Sequence, residues 1–235
     1  MGRVGRTVRS WKGSRVTLSV AVVTGGSSDV GLETAKLLAR DHHIVLSDTS
    51  AERLNRALDR LDSIGVSAES IVADVTNRRS VEILMRAARE AGPVASVVHA
   101  GGGTSAGDSP ESIVRSRVLG TINVTAATLM VAGLGTTLVH ASSHDAHAAP
   151  FALPRWVFRL APADPEGVVA ALIRLASLSP ARLAPTAAHA LSGTFVDWYV
   201  THMALVFAAR GAFLSSTRPE SIVELCRAGL ARPAA

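Results

Sequence analysis

The run TGGSSDVG (24–31) follows a β-branched apolar stretch and opens an amphipathic one. Small residues at such a strand-to-helix turn let backbone N–H groups approach a pyrophosphate at the helix N-terminus. Thr24, Gly25, Ser28 and Gly31 are therefore the first cofactor-binding candidates. An acid, Asp48, ends the next apolar run, 17 residues after Gly31. A carboxylate there can accept both ribose hydroxyls and would repel a 2′-phosphate, which favours NAD over NADP. The alternative role for Asp48 is the N-cap of a helix starting near Thr49.

Other chemically able residues are fewer. SSHDAH (142–147) places His144 and His147 at H-x-x-H spacing around Asp145, but a short His-rich loop is usually solvated, and no metal is expected. The single Cys226 cannot form an intrachain disulfide, which points to a reducing, cytoplasmic compartment. Lysine occurs only at Lys12 and Lys36, and tyrosine only at Tyr199.

To set the glycine turn beside Asp48, the chain needs neighbouring parallel strands joined by helices, and its periodicity supplies them. Strands are predicted over 16–24, 43–48, 67–74 and 136–143, and a strand running into a glycine turn over 93–103, with helices over 32–41, 51–65, 76–92 and 109–135. The rhythm breaks from 144 to about 184, a segment rich in Ala, Pro and His with one helix at 165–179, read as an inserted lid-like piece. A long helix over 185–211, a sixth strand over 212–219 and a short final helix follow. The expected fold is α/β, a doubly wound parallel sheet.

Composition narrows the function classes. With 235 residues, 48% apolar and 4% aromatic, a disordered or fibrous chain is excluded. No run of roughly 18 apolar residues appears, so no membrane partner is expected. The first fifteen residues carry five basic side chains and no acid, which leaves 24 − 5 = 19 basic against 19 acidic groups over 16–235. The formal charge of +5 thus belongs to a basic tail, 1–15, on a neutral single domain, 16–235, and a nucleic-acid partner is not expected.

Several motifs together resemble the short-chain dehydrogenase/reductase family over about residues 16–222. TGGSSDVG is similar to its TGxxxGxG cofactor turn, Asp74-Val75 to its adenine-contacting Asp-Val, and HAGG (99–102), with Ala100 and Gly101, to its Asn-Asn-Ala-Gly stretch. RVLGTINV (117–124) resembles its Asn-Val-x-Gly-Thr helix, ASS (141–143) its serine-bearing fifth strand, and AFLSSTRPES (212–221) its sixth strand and turn. The resemblance implies a Rossmann-like sheet of order 3-2-1-4-5-6, NAD as cofactor, a small-molecule substrate, and pairing as a homodimer or with a homologue through the helices at 109–135 and 185–211. It also implies a truncated C-terminus, because the chain stops about fifteen residues past the Pro219 turn.

The spacing back from Pro219 lays AAHALSG (187–193) on the family's Tyr-x-x-x-Lys segment. The tyrosine position is then His189, the lysine position Gly193 and the tetrad asparagine position Arg117, while Ser143 is kept. With no lysine beyond residue 36, no Tyr-x-x-x-Lys pair exists anywhere in the chain. Asp29 stands at the second glycine of the turn, where it repels a pyrophosphate unless it points to solvent, and His99 replaces an amide. Neutral histidine titrates near working pH and can act without a lysine, so Ser143 and His189 form the expected reacting centre. Arg117 either binds an anionic or oxygen group there or makes a surface salt bridge. The first expectation is a repurposed non-redox enzyme of cyclase, dehydratase or isomerase type in specialised metabolism. A dinucleotide-sensing or partner-binding pseudoenzyme and an oxidoreductase with His189 as proton donor are the alternatives. Trp156, Phe158, Phe195 and Trp198 either pack the insertion against the long helix or roof a bulky apolar substrate.

Overall fold

The computed structural model describes residues 18–100, 108–142, 156–218 and 221–224. Valine-rich runs give β1 (Ser19–Thr24), flanked by β2 (His42–Asp48) and β4 (Val94–His99). β3 (Ala68–Val72) pairs outside β2, and β5 (Thr137–Ala141) and β6 (Phe213–Thr217) extend the other side. Every pairing is parallel, in the order β3-β2-β1-β4-β5-β6. This is the expected Rossmann-like sheet. Its order reverses between β1 and β4, and the crevice beyond the carboxyl ends of those strands is where such sheets bind ligands.

Because β1 is buried on both faces, its alternate residues serve two cores. Ala21 and Val23 meet Leu32 and Leu54 from α1 (Asp29–Leu38) and α2 (Ala51–Asp62). Val20 and Val22 share the opposite core with Leu84 and Met85 from α3 (Arg78–Ala91) and Val124 from α4 (Pro110–Val131). A third core lies among α4, α5 (Pro165–Ala176) and α6 (Ala184–Ala208), with Phe158 and Phe195 at its centre. Phe158 belongs to a 3₁₀ turn, Val157–Leu160, that sequence periodicity misses.

Helix starts are set by side-chain caps. Ser28, Ser50, Asn77, Ser109 and Asp164 each accept a backbone N–H of the first turn of α1, α2, α3, α4 and α5 respectively. α6 ends in a turn that reaches Gly211, whose φ of 66° is left-handed, before β6 begins. Of the segment expected as a lid, the described portion, from Trp156 onward, contributes Phe158, Val168 and Leu172 to the third core.

Candidate functional site

The turn between β1 and α1 is shaped by three glycines with different duties. Gly25 has φ 68°, a conformation costly for any side chain with a Cβ. A Cβ on Gly26 would lie 2.9 Å from Leu46 Cδ2 and 3.0 Å from the Val23 carbonyl oxygen. One on Gly31 would come within 2.4 Å of the Gly25 carbonyl oxygen and 2.8 Å of Gly26 Cα, so the first turn of α1 can sit against the loop only as glycine. Ser28 ties the loop to the helix, its hydroxyl donating to Gly25 O (2.7 Å) and accepting from Gly31 N (3.1 Å). The repulsion that Asp29 threatens does not arise. Its carboxylate is 93% exposed and lies 3.6 Å from Arg60 Nη1. The cradle therefore fits a dinucleotide pyrophosphate at the N-terminus of α1.

Thr24 is completely buried, and its hydroxyl is 2.6 Å from His99 Nδ1, linking the end of β1 to the end of β4. Its side chain positions the turn rather than facing the crevice. The His99 ring lies edge-on to His140, with centroids 5.2 Å apart, and a Cβ on Gly120 of α4 would sit 3.0 Å from His99 Nε2. His140 Nε2 is 2.9 Å from Thr125 Oγ1. Burial, then the charge of Arg117, lowers the His99 pKa to about 4; burial, then His99, holds His140 well below its usual value.

Asp48 closes the far side of the turn. It accepts hydrogen bonds from Ser27 Oγ, Arg53 Nη2 and Ser50 N. Burial pushes its pKa up, but those hydrogen bonds and the Arg53 charge outweigh it and hold the carboxyl below the usual range. The N-cap alternative fails, because Ser50 is the residue that caps α2. Asp74, after β3, accepts from Thr76 N (2.8 Å) and Thr76 Oγ1 (2.7 Å), and the Val75 carbonyl accepts from Asn123 Nδ2 (2.9 Å). Ala100 N donates to Thr24 O at 3.1 Å. Gly101, Ser143, His144, Asp145 and His147 lie outside the described residues.

Arg117 and His189 share an electrostatic neighbourhood formed by α4 and α6. Arg117 is 7% exposed, so the surface salt-bridge alternative does not hold. Burial lowers its pKa, and the opposite charge of Asp197 on α6 works against that. Asp197 Oδ1 in turn accepts from Ser216 Oγ of β6 at 2.9 Å. The pKa of half-buried His189 is lowered by burial first and the Arg117 charge second, with Asp108 opposing them. Its imidazole is therefore neutral at working pH and able to take a proton. Tyr199 is only 8% exposed and stacks on Phe195 at 5.6 Å, and burial raises its pKa to about 12. Phe158, Phe195 and Trp198 pack on one another at 5.4–6.3 Å, whereas Trp156 is exposed.

Sequence reasoning missed Arg53, Ser27, Asp108 and Asp197. Only Arg53 had a readable signal, a cation in the first turn of the helix that follows Asp48. Among the described residues no group of three His, Cys, Asp or Glu side chains is arranged to hold a metal, and no helix is long and apolar enough to cross a membrane.

The family model described as short chain dehydrogenase matches residues 19–152. A glycine betaine reductase of Emericella nidulans is 42% identical over 77 residues, 32% of this chain and 6% of that protein. The stretches matched in curated relatives span only 6–26% of those proteins' lengths. Among solved structures, a dehydrogenase/reductase from Sinorhizobium meliloti superposes with a TM-score of 0.65 at 17% identity, covering 92% of this chain and 88% of its own. A short chain dehydrogenase from Burkholderia cenocepacia in complex with NADP gives 0.60 at 21% identity, covering 85% of this chain and 73% of its own.

Proposed function

The chain belongs to the short-chain dehydrogenase family, and on that premise we propose that it is a nicotinamide-dinucleotide-dependent oxidoreductase in which His189 performs the proton transfer. The observation that carries this reading is a neutral, half-buried His189 beside the buried Arg117 cation, in a chain whose dinucleotide turn is intact. When bound, the nicotinamide ring gives or takes a hydride, the chemistry no side chain can supply. Gly25, Ser28 and Gly31 would hold the pyrophosphate, Asp48 the adenosine ribose, Asp74 and Val75 the adenine, and Ala100 and Gly101 the floor toward the nicotinamide.

In the oxidising direction the His189 imidazole takes the hydroxyl proton of a small alcohol as the carbinol carbon gives up its hydride. In the reducing direction the imidazolium returns that proton to the carbonyl oxygen. A pKa lowered by burial and by a neighbouring cation keeps the unprotonated form of His189 populated, and makes its imidazolium a stronger acid once formed, so the same group serves both directions. Arg117 steadies the oxygen as negative charge develops on it, and Ser143 orients it. Titration with NADH, read by fluorescence, and turnover of a broad alcohol and ketone panel test the reading. His189→Phe abolishes turnover while NADH affinity stays within about threefold; undiminished turnover in that variant disposes of the proposal.

One observation favours a second reading. Gly193, one turn beyond His189 on α6, is buried and carries no cation where the family's lysine would hold the nicotinamide ribose. A non-redox isomerase, dehydratase or cyclase using His189 and Ser143 has no need of that cation. Nucleotide binding without turnover of any alcohol or ketone, combined with His189-dependent conversion in a redox-neutral substrate panel, would select it. The pairing of α4 and α6 across a homodimer axis belongs to the same proposal and is read by the mass of the protein in solution.

A further inference from the structure

Sequence logic gave Asp48 the task of accepting the ribose hydroxyls and rejecting a 2′-phosphate. The surroundings of the carboxylate add a cation to that picture. Its Oδ2 accepts from Ser27 Oγ, and its Oδ1 accepts from Arg53 Nη2 and, at 3.1 Å, from Ser50 N. The side chain is 10% exposed, whereas that of Arg53 is 49% exposed. The Asp48 carboxylate is thus largely spent on protein donors, with its charge countered by a cation that remains open to solvent. The same Arg53 Nη2 also donates to Thr49 Oγ1 at 3.1 Å, which fixes the guanidinium at the rim of the ribose side of the turn.

Resting on the dinucleotide reading above, we propose that Arg53 is the specificity-determining residue of the site, and that this chain accepts the 2′-phosphorylated nucleotide as well as the unphosphorylated one. An acid alone at this position repels a 2′-phosphate, and an arginine nearby accommodates it. Here both are present and paired. Arg53 cancels the charge of Asp48 and still has N–H donors on its solvent side, because a guanidinium carries five of them in a planar fork suited to phosphate. The hydroxyls of Ser27 and Thr49 flank the same spot and can turn from the protein toward a phosphate oxygen. With the unphosphorylated nucleotide, Arg53 keeps its bond to Asp48. With the phosphorylated one, it bridges Asp48 and the phosphate.

Binding rather than turnover tests this, by fluorescence titration of the full chain with NADH and with NADPH at two salt concentrations. The expected results are affinities within about fivefold of each other for the unaltered protein. In Arg53→Met, which keeps the apolar stem, NADPH binding weakens by about tenfold or more while NADH changes by less than threefold. Asp48→Asn is expected to strengthen NADPH binding, since it removes the acid and leaves Arg53. Discrimination against NADPH of more than thirtyfold in the unaltered protein, or an equal loss of both nucleotides in Arg53→Met, overturns the assignment while leaving the dinucleotide reading intact. Binding of neither nucleotide to a folded protein overturns both.

Discussion

The charge of Arg117 biases the protonation of His189, the residue proposed to transfer the proton. A cation beside an imidazole disfavours the imidazolium, so Arg117 helps burial to keep His189 in its basic form. Arg117→Met therefore raises the His189 pKa, and the acid limb of the kcat/KM profile moves to higher pH, since the base must be neutral to act. The rate at the pH optimum should fall by roughly a hundredfold, the scale of losing one donor to a developing oxyanion. Circular dichroism and thermal unfolding of the variant separate this effect from misfolding, because Arg117 is buried and its partner Asp197 is left with Ser216. An acid limb that stays in place would show that some group other than His189 limits the profile. Tyr199 needs no such test as a stand-in for a catalytic tyrosine, because its ring is stacked into the third core.

At the scale of elements, the start of α1 governs the nucleotide cleft and the third core governs the insertion. Gly31→Ala would drive a methyl to 2.4 Å from the Gly25 carbonyl oxygen, so the turn must open. The expected cost is about 1–3 kcal/mol of stability together with at least a tenfold loss of NADH affinity. A denaturation curve and a fluorescence titration on the same sample check both. Phe158→Ala removes a fully buried ring and should cost about 3–5 kcal/mol in urea denaturation. An effect on KM alone, with stability unchanged, would instead mark Phe158 as part of a cover over the substrate. The elements themselves were largely legible, because β-branched runs and helical spacing are local signals. Their ends were less so. α1 starts at Asp29 rather than residue 32, since a run of Gly and Ser reads as loop until Ser28 is seen to cap it. The fourth strand stops at His99, a point the stretch running into glycines left open, and Ala100, whose N–H donates to Thr24, already lies past its end. The 3₁₀ turn at Val157–Leu160 was illegible because four residues are too few to show a period.

For the whole molecule, the doubly wound parallel sheet followed from the βαβ rhythm and its strand order from the family resemblance, whereas the polar links that hold the β1/β4 crevice together followed from neither. Thr24 and His99 are 75 residues apart, and no spacing rule connects them. Asp197 likewise becomes relevant to Arg117 only once α6 lies on α4. The buried histidines at the ends of β4 and β5 then make the fold itself sensitive to acid. His99 has a folded pKa of about 4, below the value near 6.5 expected in the unfolded chain. The unfolded chain therefore binds the proton first. The stabilisation is complete above pH 6.5 and is lost progressively as pH falls toward 4. Over that window the shift corresponds to about 3 kcal/mol from His99, and His140 acts in the same direction. Urea denaturation at intervals from pH 7.5 to 4.5 should show this decline. His99→Asn, which keeps a polar partner for the Thr24 hydroxyl but cannot titrate, should flatten the curve while starting from a similar or slightly lower stability at pH 7.5. An equally steep decline in that variant would place the acid sensitivity elsewhere in the fold.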